Sequence, residues 1–346
     1  MTLNSRLSLR TVLGDVDAER TGIILPHEHL YCDLRPLAGR EPVRDGAENV
    51  EAAELALLQE ARVAGVTLLV EPTPPGIGRD PLLLRRLSER GFVDVIGATG
   101  LYKEPLLPQR AYDRSVDELA DWFTFEISVG ILPVTGDSFL GESLLSEDVL
   151  GRATDALNET PVRAGVIKLA SSNEGLQDVE AKALRAAVLA AQRTGVAIIS
   201  HSPSGASFQQ QLNELERAGG DPARFVQVHA NSEKDFTLHL RALQRGAWVE
   251  YDGIGGGAAG DDWHLELVQR VLQAGFADRL LLSQDVVGWR AGTAGGGNYV
   301  DAGQPKKRYA HLMDTFLPRL REAGVSGETV HQITVDNPRR LLAFSA

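Results

Sequence analysis

The chain has 346 residues, a formal net charge of −12 at pH 7 and a hydrophobic content of 43%. Its scattered Lys and Arg argue against nucleic-acid binding, because a surface that binds polyanions is usually a basic patch. No stretch approaches the run of about 18 apolar residues that a membrane helix needs, and residues 1–14 lack the apolar run of a signal peptide. We therefore expect a cytoplasmic protein that binds neither nucleic acid nor a membrane.

The chain contains no feature that marks a domain boundary. Its length suits one or two domains, and α/β barrels reach this size as one unit. There is no Pro/Ser-rich linker and no fixed-period repeat, so residues 1–346 are predicted to form a single domain. The one cysteine, Cys32, excludes an internal disulfide and a cysteine-based zinc site.

Short runs rich in leucine and β-branched residues recur along the chain, and each ends in a polar residue. Near-continuous apolarity is typical of strands buried on both faces of a parallel sheet. Eight runs are predicted as strands: Gly22–His29, Val66–Glu71, Val93–Gly100, Ala164–Ala170, Val196–Ser202, Phe225–Asn231, Ala247–Gly253 and Arg279–Asp285.

Segments with helical spacing separate these runs. They are Ala53–Ala64, Asp80–Arg90, Asp178–Arg193, Phe208–Ala218, Phe236–Arg245 and Leu265–Ala274, and we expect two more helices near Val116–Ser128 and Glu147–Asn158. Leu9–Val12 and Thr21–Leu25, around a turn at Gly14-Asp15, predict a short N-terminal β-hairpin. Eight strand-helix units favour an α/β fold of the TIM (β/α)8 barrel type over a doubly wound sheet.

Polar side chains at the ends of the predicted strands have the chemistry of a metal site. In such a barrel the active site lies at the C-terminal ends of the strands. His27 and His29 are two residues apart, so both imidazoles project to one side of an extended strand. Three later strands end at His201, His229 and Asp285. Imidazole and carboxylate are the expected ligands of zinc, manganese or cobalt when cysteine is absent.

Lys168 stands in an otherwise apolar strand. A bare ammonium there would be costly to bury and would be repelled by a metal centre. A buried neutral amine can instead react with carbon dioxide to form a carbamate, whose two oxygens can bridge two metal ions. The alternative is a lysine that pairs with a carboxylate or points out of the barrel.

Taken in strand order, this set of residues resembles the phosphotriesterase-like branch of the amidohydrolase superfamily. The local sequence is similar as well, at Leu25–Leu30, Gly76–Asp80, Thr99–Tyr102, Arg163–Lys168 and Asp336–Arg339. The resemblance covers nearly the whole chain. It implies that His27, His29 and Asp285 hold the more buried of two metal ions and that His201 and His229 hold the more exposed one. Carboxylated Lys168 would bridge both ions together with a hydroxide, and barrels of this group often form homodimers.

The sequence departs from the lactonase members of this group in the loops that shape the pocket. Those members often carry an arginine just after the aspartate of the seventh strand, whereas Asp252 is followed here by Gly253. The glycine-rich stretch before Tyr299 is closer to the phosphotriesterase-related proteins. The substrate is therefore left open.

The resulting hypothesis is a metal-dependent hydrolase that cleaves an uncharged ester, namely a lactone, a carboxylic ester or a phosphotriester. Two divalent ions are implied, most simply zinc, with manganese, cobalt and iron as alternatives. The bridging hydroxide would be the nucleophile and Asp285 would accept its proton. Tyr102 would place the electrophilic oxygen, while Trp289 and Tyr251 would line an apolar leaving-group pocket.

The sequence offers three alternatives to a metal-dependent hydrolase. A non-catalytic binding protein on the same scaffold is the main alternative, since fold alone does not assign function. The G-x-G-x-x-G spacing at Gly255–Gly260 is that of a dinucleotide site, but it falls too late in the chain for such a domain. The segment Gly136–Gly141 does not fit a serine nucleophile elbow. The remaining histidines lie on helical patterns and are interpreted as surface or packing residues: His239, His264, His311 and His331.

Overall fold

The computed structural model describes residues 7–37, 47–131, 162–256, 260–291 and 308–345. Its strands are, in chain order, β1 (Leu7–Thr11), β2 (Gly14–Asp17), β3 (Ile23–Leu25), β4 (His29–Cys32), β5 (Val66–Glu71), β6 (Asp94–Gly100), β7 (Ala164–Ala170), β8 (Ala197–His201), β9 (Phe225–Val228), β10 (Trp248–Tyr251), β11 (Leu280–Leu282), β12 (Val287–Arg290) and β13 (Phe344–Ser345). The predicted helix at Glu147–Asn158, the segment Gly136–Gly141 and part of Gly255–Gly260 lie outside the described residues.

Eight parallel strands form the central sheet. Hydrogen bonds join them in the order β3, β5, β6, β7, β8, β9, β10 and β11, so neighbours in space are also successive along the chain, β4 aside. Parallel neighbours need a long crossover, which helices supply here on the outside of the sheet. The sheet curls until β3 and β11 nearly meet. All eight predicted strands and the TIM-barrel fold are thereby confirmed.

The helices begin and end at local signals in the sequence. They are Ala47–Val63, Pro81–Glu89, Arg110–Asp113, Val116–Ser128, Asp178–Thr194, Gly205–Arg217, Phe236–Gln244, Gly260–Gln273, Leu317–Glu322, Gly327–His331 and Asn337–Leu342. Asp80 caps the second of them by accepting from the backbone N–H of Leu83, and the third long helix starts with a capping box of Ser115 and Glu118. None of the helices within the described ranges is long and apolar enough to cross a bilayer.

Two of the predicted strand boundaries need correction. The second strand of the N-terminal hairpin is β2, which pairs antiparallel with β1, whereas Ile23–Leu25 is the first barrel strand. The predicted strand Gly22–His29 also divides into β3 and β4. Pro26 stands between them, and because proline has no N–H it cannot continue a backbone ladder.

Glu28 joins the first and last barrel strands, between which no backbone ladder runs. Its buried carboxylate accepts hydrogen bonds from the Ser283 hydroxyl at 2.9 Å and from the backbone N–H groups of Gln284 at 3.0 Å and Val286 at 2.8 Å. Burial, partly offset by these hydrogen bonds, raises the pKa of Glu28 to about 8. Beyond Glu28, β4 and β12 pair in parallel and continue the seam. The predicted interpretation of Glu28 as a supporting or packing group is confirmed.

The barrel interior is apolar at its N-terminal end. Its floor is built from inward-facing residues of the eight strands, namely Ile24, Leu68, Val70, Ile96, Ala98, Val166, Ala197, Ile199, Val226, Val228, Trp248 and Leu281. Leu9 of β1 and Leu342 near the C-terminus extend this core below the strands. Lys168 lies two residues beyond Val166, so it faces the same interior one layer nearer the C-terminal ends of the strands. A second, larger core fills the space between the strands and the helices.

Candidate metal centre

Side chains from the first, fourth and eighth barrel segments meet above the apolar floor. The Nε2 atoms of His27 and His29 lie 3.3 Å apart. Asp285 Oδ1 lies 3.6 Å from each of them. Lys168 Nζ lies 3.4 Å from His27 Nε2, and this lysine is only 1% exposed. The structure therefore brings together four of the predicted ligands.

Hydrogen bonds on the far side of each ring fix the protonation of His27 and His29. The Nδ1–H of His27 donates to Glu250 Oε1 at 2.8 Å. The Nδ1–H of His29 donates to the Thr73 hydroxyl at 2.7 Å, and that hydroxyl donates in turn to Glu71. A neutral imidazole has one proton and one lone pair. Both Nε2 atoms consequently carry lone pairs that point toward the same space.

His229 is held in the same way. Its Nδ1–H donates to Asp252 Oδ1 at 2.7 Å, and its backbone N–H donates to Asp252 Oδ2 at 2.9 Å. The ring of His201 lies beside it, with the ring centroids 4.6 Å apart. The other neighbours of His201 are the Tyr102 hydroxyl, 3.3 Å from Nδ1, and Lys103 Nζ, 3.1 Å from Nε2. The two histidines predicted to hold the more exposed metal ion are thus adjacent.

Burial controls the electrostatics of the centre. It lowers the pKa of Lys168, against the opposing attraction of Glu250, and it lowers the pKa of His27 well below the usual range. Burial together with the nearby Asp252 raises the pKa of Glu250. For Asp252 burial acts upward, but the charge and hydrogen bonds of His229 hold its pKa below the usual value. Both basic groups are therefore shifted toward their neutral forms, in which their nitrogen lone pairs are free to react or to coordinate.

Strained backbone marks two of the candidate ligands. His229 has φ 61° and Asp285 has φ 49°, and in the described part of the chain these are the residues other than glycine with positive φ. Such conformations cost of order 1 kcal/mol or more and persist where the surroundings enforce them, often at functional sites. Each strained residue stands where a barrel strand gives way to its loop, and the strain turns its side chain toward the centre.

The residues present fit a divalent cation. Three groups of closely spaced ligand atoms occur among the described residues: His27 with His29 and Asp285, His27 with Glu250 and Asp252, and His229 with Asp252 and Asp285. Ligand atoms about 2.1 Å from a tetrahedral ion lie about 3.4 Å apart. The 3.3 to 3.6 Å separations in the first group match this spacing. A cation between these ligand atoms would face two lone pairs and a carboxylate.

The three aromatic predictions have different outcomes. Tyr102 lies at the centre, against His201. Tyr251 does not, because it follows Glu250 on β10 and points outward, where its hydroxyl lies 2.8 Å from His239 Nδ1 and its side chain is fully buried. The prediction that Tyr251 lines a leaving-group pocket is therefore wrong. Trp289 is buried on β12 opposite Tyr31, and its role at the pocket stays a prediction.

Sequence reasoning missed the residues that support the ligands. No role was predicted for Glu250, Asp252 or Thr73. Glu250 and Asp252 nevertheless have the same two-residue spacing at a strand end as His27 and His29. Lys103 was missed as well. The four remaining histidines do pack against protein groups, with contacts from His239 to Tyr251, from His264 to the carbonyl of Asp252, from His311 to Asp261 and from His331 to Asp336.

Comparison with known proteins assigns the chain to a family. The model of the phosphotriesterase family matches residues 7–137 and 140–342. The chain belongs to the phosphotriesterase family. The N-acetyltaurine hydrolase of Salmo salar is 25% identical, over 97% of this chain and 98% of that protein. The aryldialkylphosphatase of Saccharolobus solfataricus is 25% identical, over 95% and 97%. A solved structure of a triple mutant of the organophosphorus hydrolase from Deinococcus radiodurans is 30% identical, with a TM-score of 0.81 and 98% of each chain covered. The family and these relatives indicate a hydrolase.

Proposed function

We propose that this protein is a metal-dependent hydrolase of uncharged ester bonds, in a lactone, a carboxylic ester or a phosphotriester. The supporting observation is the convergence of two unprotonated Nε2 atoms, from His27 and His29, with the Asp285 carboxylate at 3.3 to 3.6 Å. Zinc is the expected metal, and manganese, cobalt and iron also bind such donors. Two divalent ions would be held by His27, His29, Lys168, His201, His229 and Asp285.

The residues of the centre divide the work of hydrolysis. Bound divalent ions would lower the pKa of a water molecule and polarise the carbonyl or phosphoryl oxygen of the substrate. Asp285 would accept the proton of that water, a role supported by its side chain being 30% exposed while Oδ1 faces both histidines. Burial raises the pKa of Tyr102, so its hydroxyl stays protonated and can donate a hydrogen bond to the substrate oxygen.

Lys168 is proposed to act as a carbamate. Its amine attacks carbon dioxide, a C–N bond forms, and one proton leaves, so a neutral group becomes an anion with two oxygens. This reaction needs the neutral amine, which burial favours by lowering the pKa of Lys168. The side chain points inward, one layer above Val166, so a carbamate formed there would lie among the candidate ligands.

Replacement of Lys168 tests this centre. Lys168→Ala should lose bound metal and at least about 100-fold of its activity, because a charged bridging ligand disappears. Two quantities are measured: the metal content per chain after gel filtration, and the rate of hydrolysis. Added short carboxylates should restore part of both. Lys234→Ala, which removes a lysine that lies over Trp263, is the matched control. Full metal content and activity in Lys168→Ala without added carboxylate would disprove the carbamate.

The class of bond is tested with a substrate panel. Lactones, carboxylic esters and phosphotriesters are compared with metal-loaded and chelator-treated protein. Turnover that depends on metal supports the proposal and identifies the bond. Absence of turnover above the metal-free control for every compound would favour the non-catalytic binding protein instead.

Amide hydrolysis is a second candidate. It is favoured by the N-acetyltaurine hydrolase among the relatives, which matches the chain over nearly its whole length. A metal-bound water that attacks an ester carbonyl can also attack an amide carbonyl, but the amine leaving group then needs a proton. Matched esters and amides of one acyl group, added to the panel, distinguish the two reactions.

A further inference from the structure

Lys103 is a basic residue at the centre that hydrolysis of a neutral ester does not require. It follows Tyr102 at the C-terminal end of the third barrel strand and is half-buried. Its Nζ lies 3.1 Å from His201 Nε2. Among the described residues, no carboxylate oxygen lies within 4.0 Å of Lys103 Nζ, the limit for an ion pair. Glu180 and Glu174 act on it only at longer range, and Glu180 is bound to Ser172 and Gln177.

Metal binding by His201 breaks the contact between Lys103 and the imidazole. A neutral imidazole has one lone pair and one N–H. If a metal ion takes the lone pair of either nitrogen, the other nitrogen carries the proton and cannot accept from an ammonium. Lys103 then stands beside the centre and has lost its nearest acceptor. This step rests on the proposed function, in which His201 is a ligand.

We infer that Lys103 selects substrates that carry an anionic group, a carboxylate or a phosphate, next to the ester that is cleaved. An ammonium without an acceptor at the edge of a site is stabilised by an anion that the substrate brings. A charge-assisted hydrogen bond of this kind is stronger than a neutral one and has no counterpart for an uncharged analogue. The inference favours a lactone or carboxylic ester that also carries a free acid group. A simple phosphotriester has no such anionic group.

Equilibrium binding of ligands that cannot be hydrolysed tests the inference without turnover. Tetrahydrofuran-2-carboxylate and tetrahydrofuran-2-carboxamide differ in charge but hardly in shape. Calorimetry with metal-loaded protein should show the carboxylate binding more tightly, and Lys103→Met should reduce that preference about tenfold. Lys103→Arg should keep most of it. Lys234→Met, which removes an equal charge from a lysine over Trp263, should leave it unchanged.

Kinetics add an arm that identifies the anion. One lactone ring bearing a carboxylate, a phosphate monoester or a carboxamide is compared in wild type and Lys103→Met. KM should rise about tenfold for the anionic compounds that Lys103 binds and should change much less for the carboxamide. The anion with the larger change is the one recognised.

Several outcomes would overturn the inference. One is that wild type does not prefer the carboxylate, and another is that Lys103→Met keeps the same preference. A third is that Lys103→Met loses as much kcat on the neutral lactone as on the anionic ones. The last would place Lys103 in the chemistry rather than in anion selection. If metal-loaded wild type hydrolyses nothing in the panel, the proposed function fails, whereas the calorimetric comparison still reports on Lys103. Melting temperatures of the Met and Arg variants confirm that both are folded.

Discussion

Thr73 connects a candidate ligand to a buried charge. Its hydroxyl accepts from the Nδ1–H of His29 at 2.7 Å and donates to Glu71, and all three side chains are buried. The carboxylate thereby acts on the ring through one hydroxyl, which makes the imidazole a stronger electron donor and fixes its orientation. Ligand histidines in metal sites commonly have such partners.

Replacement of this hydroxyl should weaken metal binding. Thr73→Val keeps the shape but removes the acceptor, so the Nδ1–H of His29 loses this hydrogen bond and the ring can rotate or change tautomer. We expect metal affinity to fall about 10- to 100-fold, measured by competition with a chelator. Thr124→Val is the control, because Thr124 donates only to the carbonyl of Ala120 within its own helix. Equal affinities in the two variants would show that the relay does not matter.

At the residue level the ligands were easier to predict than their supports. His27, His29, His201 and Asp285 stand at strand ends, and parallel strands bring their ends together whatever the loops contain. The supports act through particular pairings between strands. Which carboxylate meets which histidine depends on the register and curvature of the barrel, and these are properties of the assembled sheet.

Among the elements, β6 and β7 approach each other closely beside Lys168. Gly100 has φ +115°, and a Cβ built there would lie 2.0 Å from the carbonyl oxygen of Lys168. Leu101 donates its N–H to that same carbonyl at 2.9 Å. The missing side chain therefore lets the two strands fix the backbone of Lys168.

Gly100→Ala should disrupt this contact. The methyl group has to displace backbone, so we expect a loss of about 3 kcal/mol or more in the free energy of unfolding, together with reduced metal content. Gly91→Ala is the matched control, with φ +74° but no atom within 4 Å of the added Cβ. It should cost only about 1–2 kcal/mol from the backbone conformation. Urea unfolding measures both, and equal losses would contradict the steric argument.

The N-terminal hairpin shows why some elements were predicted wrongly. The true second strand, Gly14–Asp17, has only one apolar residue, whereas Thr21–Leu25 is apolar and reads as a better strand. The local hydrophobic pattern indicates how well a segment can be buried, but both segments adjoin the barrel. Strand pairing in the assembled sheet determines that Ile23–Leu25 pairs with β5, so the polar segment forms the hairpin strand.

Viewed as a whole, the barrel separates stability from chemistry. Its N-terminal half holds an apolar floor, and its C-terminal half holds the buried titratable groups of the centre. The eight-fold alternation of strands and helices was predictable because each unit repeats the same pattern. The position of the centre followed from it, since the strands share one direction. Outside the centre, a buried imidazole in the helical layer couples global stability to pH.

That residue is His239, which packs between its helix and the outer face of β10. Its Nδ1 accepts from the Tyr251 hydroxyl at 2.8 Å, and its Nε2–H donates to the carbonyl of Glu233 at 3.2 Å. Burial lowers the pKa of His239 from 6.5 to about 4. Below pH 6.5 His239 takes up a proton in the unfolded chain, whereas in the folded protein it stays neutral down to about pH 4. The free energy of unfolding therefore falls as the pH falls through this window, by on the order of 3 kcal/mol.

His239→Gln cannot take up this proton. Its deficit in unfolding free energy relative to wild type should shrink from the upper to the lower end of the window in urea titrations. His331→Gln, at a side chain 62% exposed, should run parallel to wild type. A curve for His239→Gln that is also parallel to wild type would show that His239 is not the group that titrates.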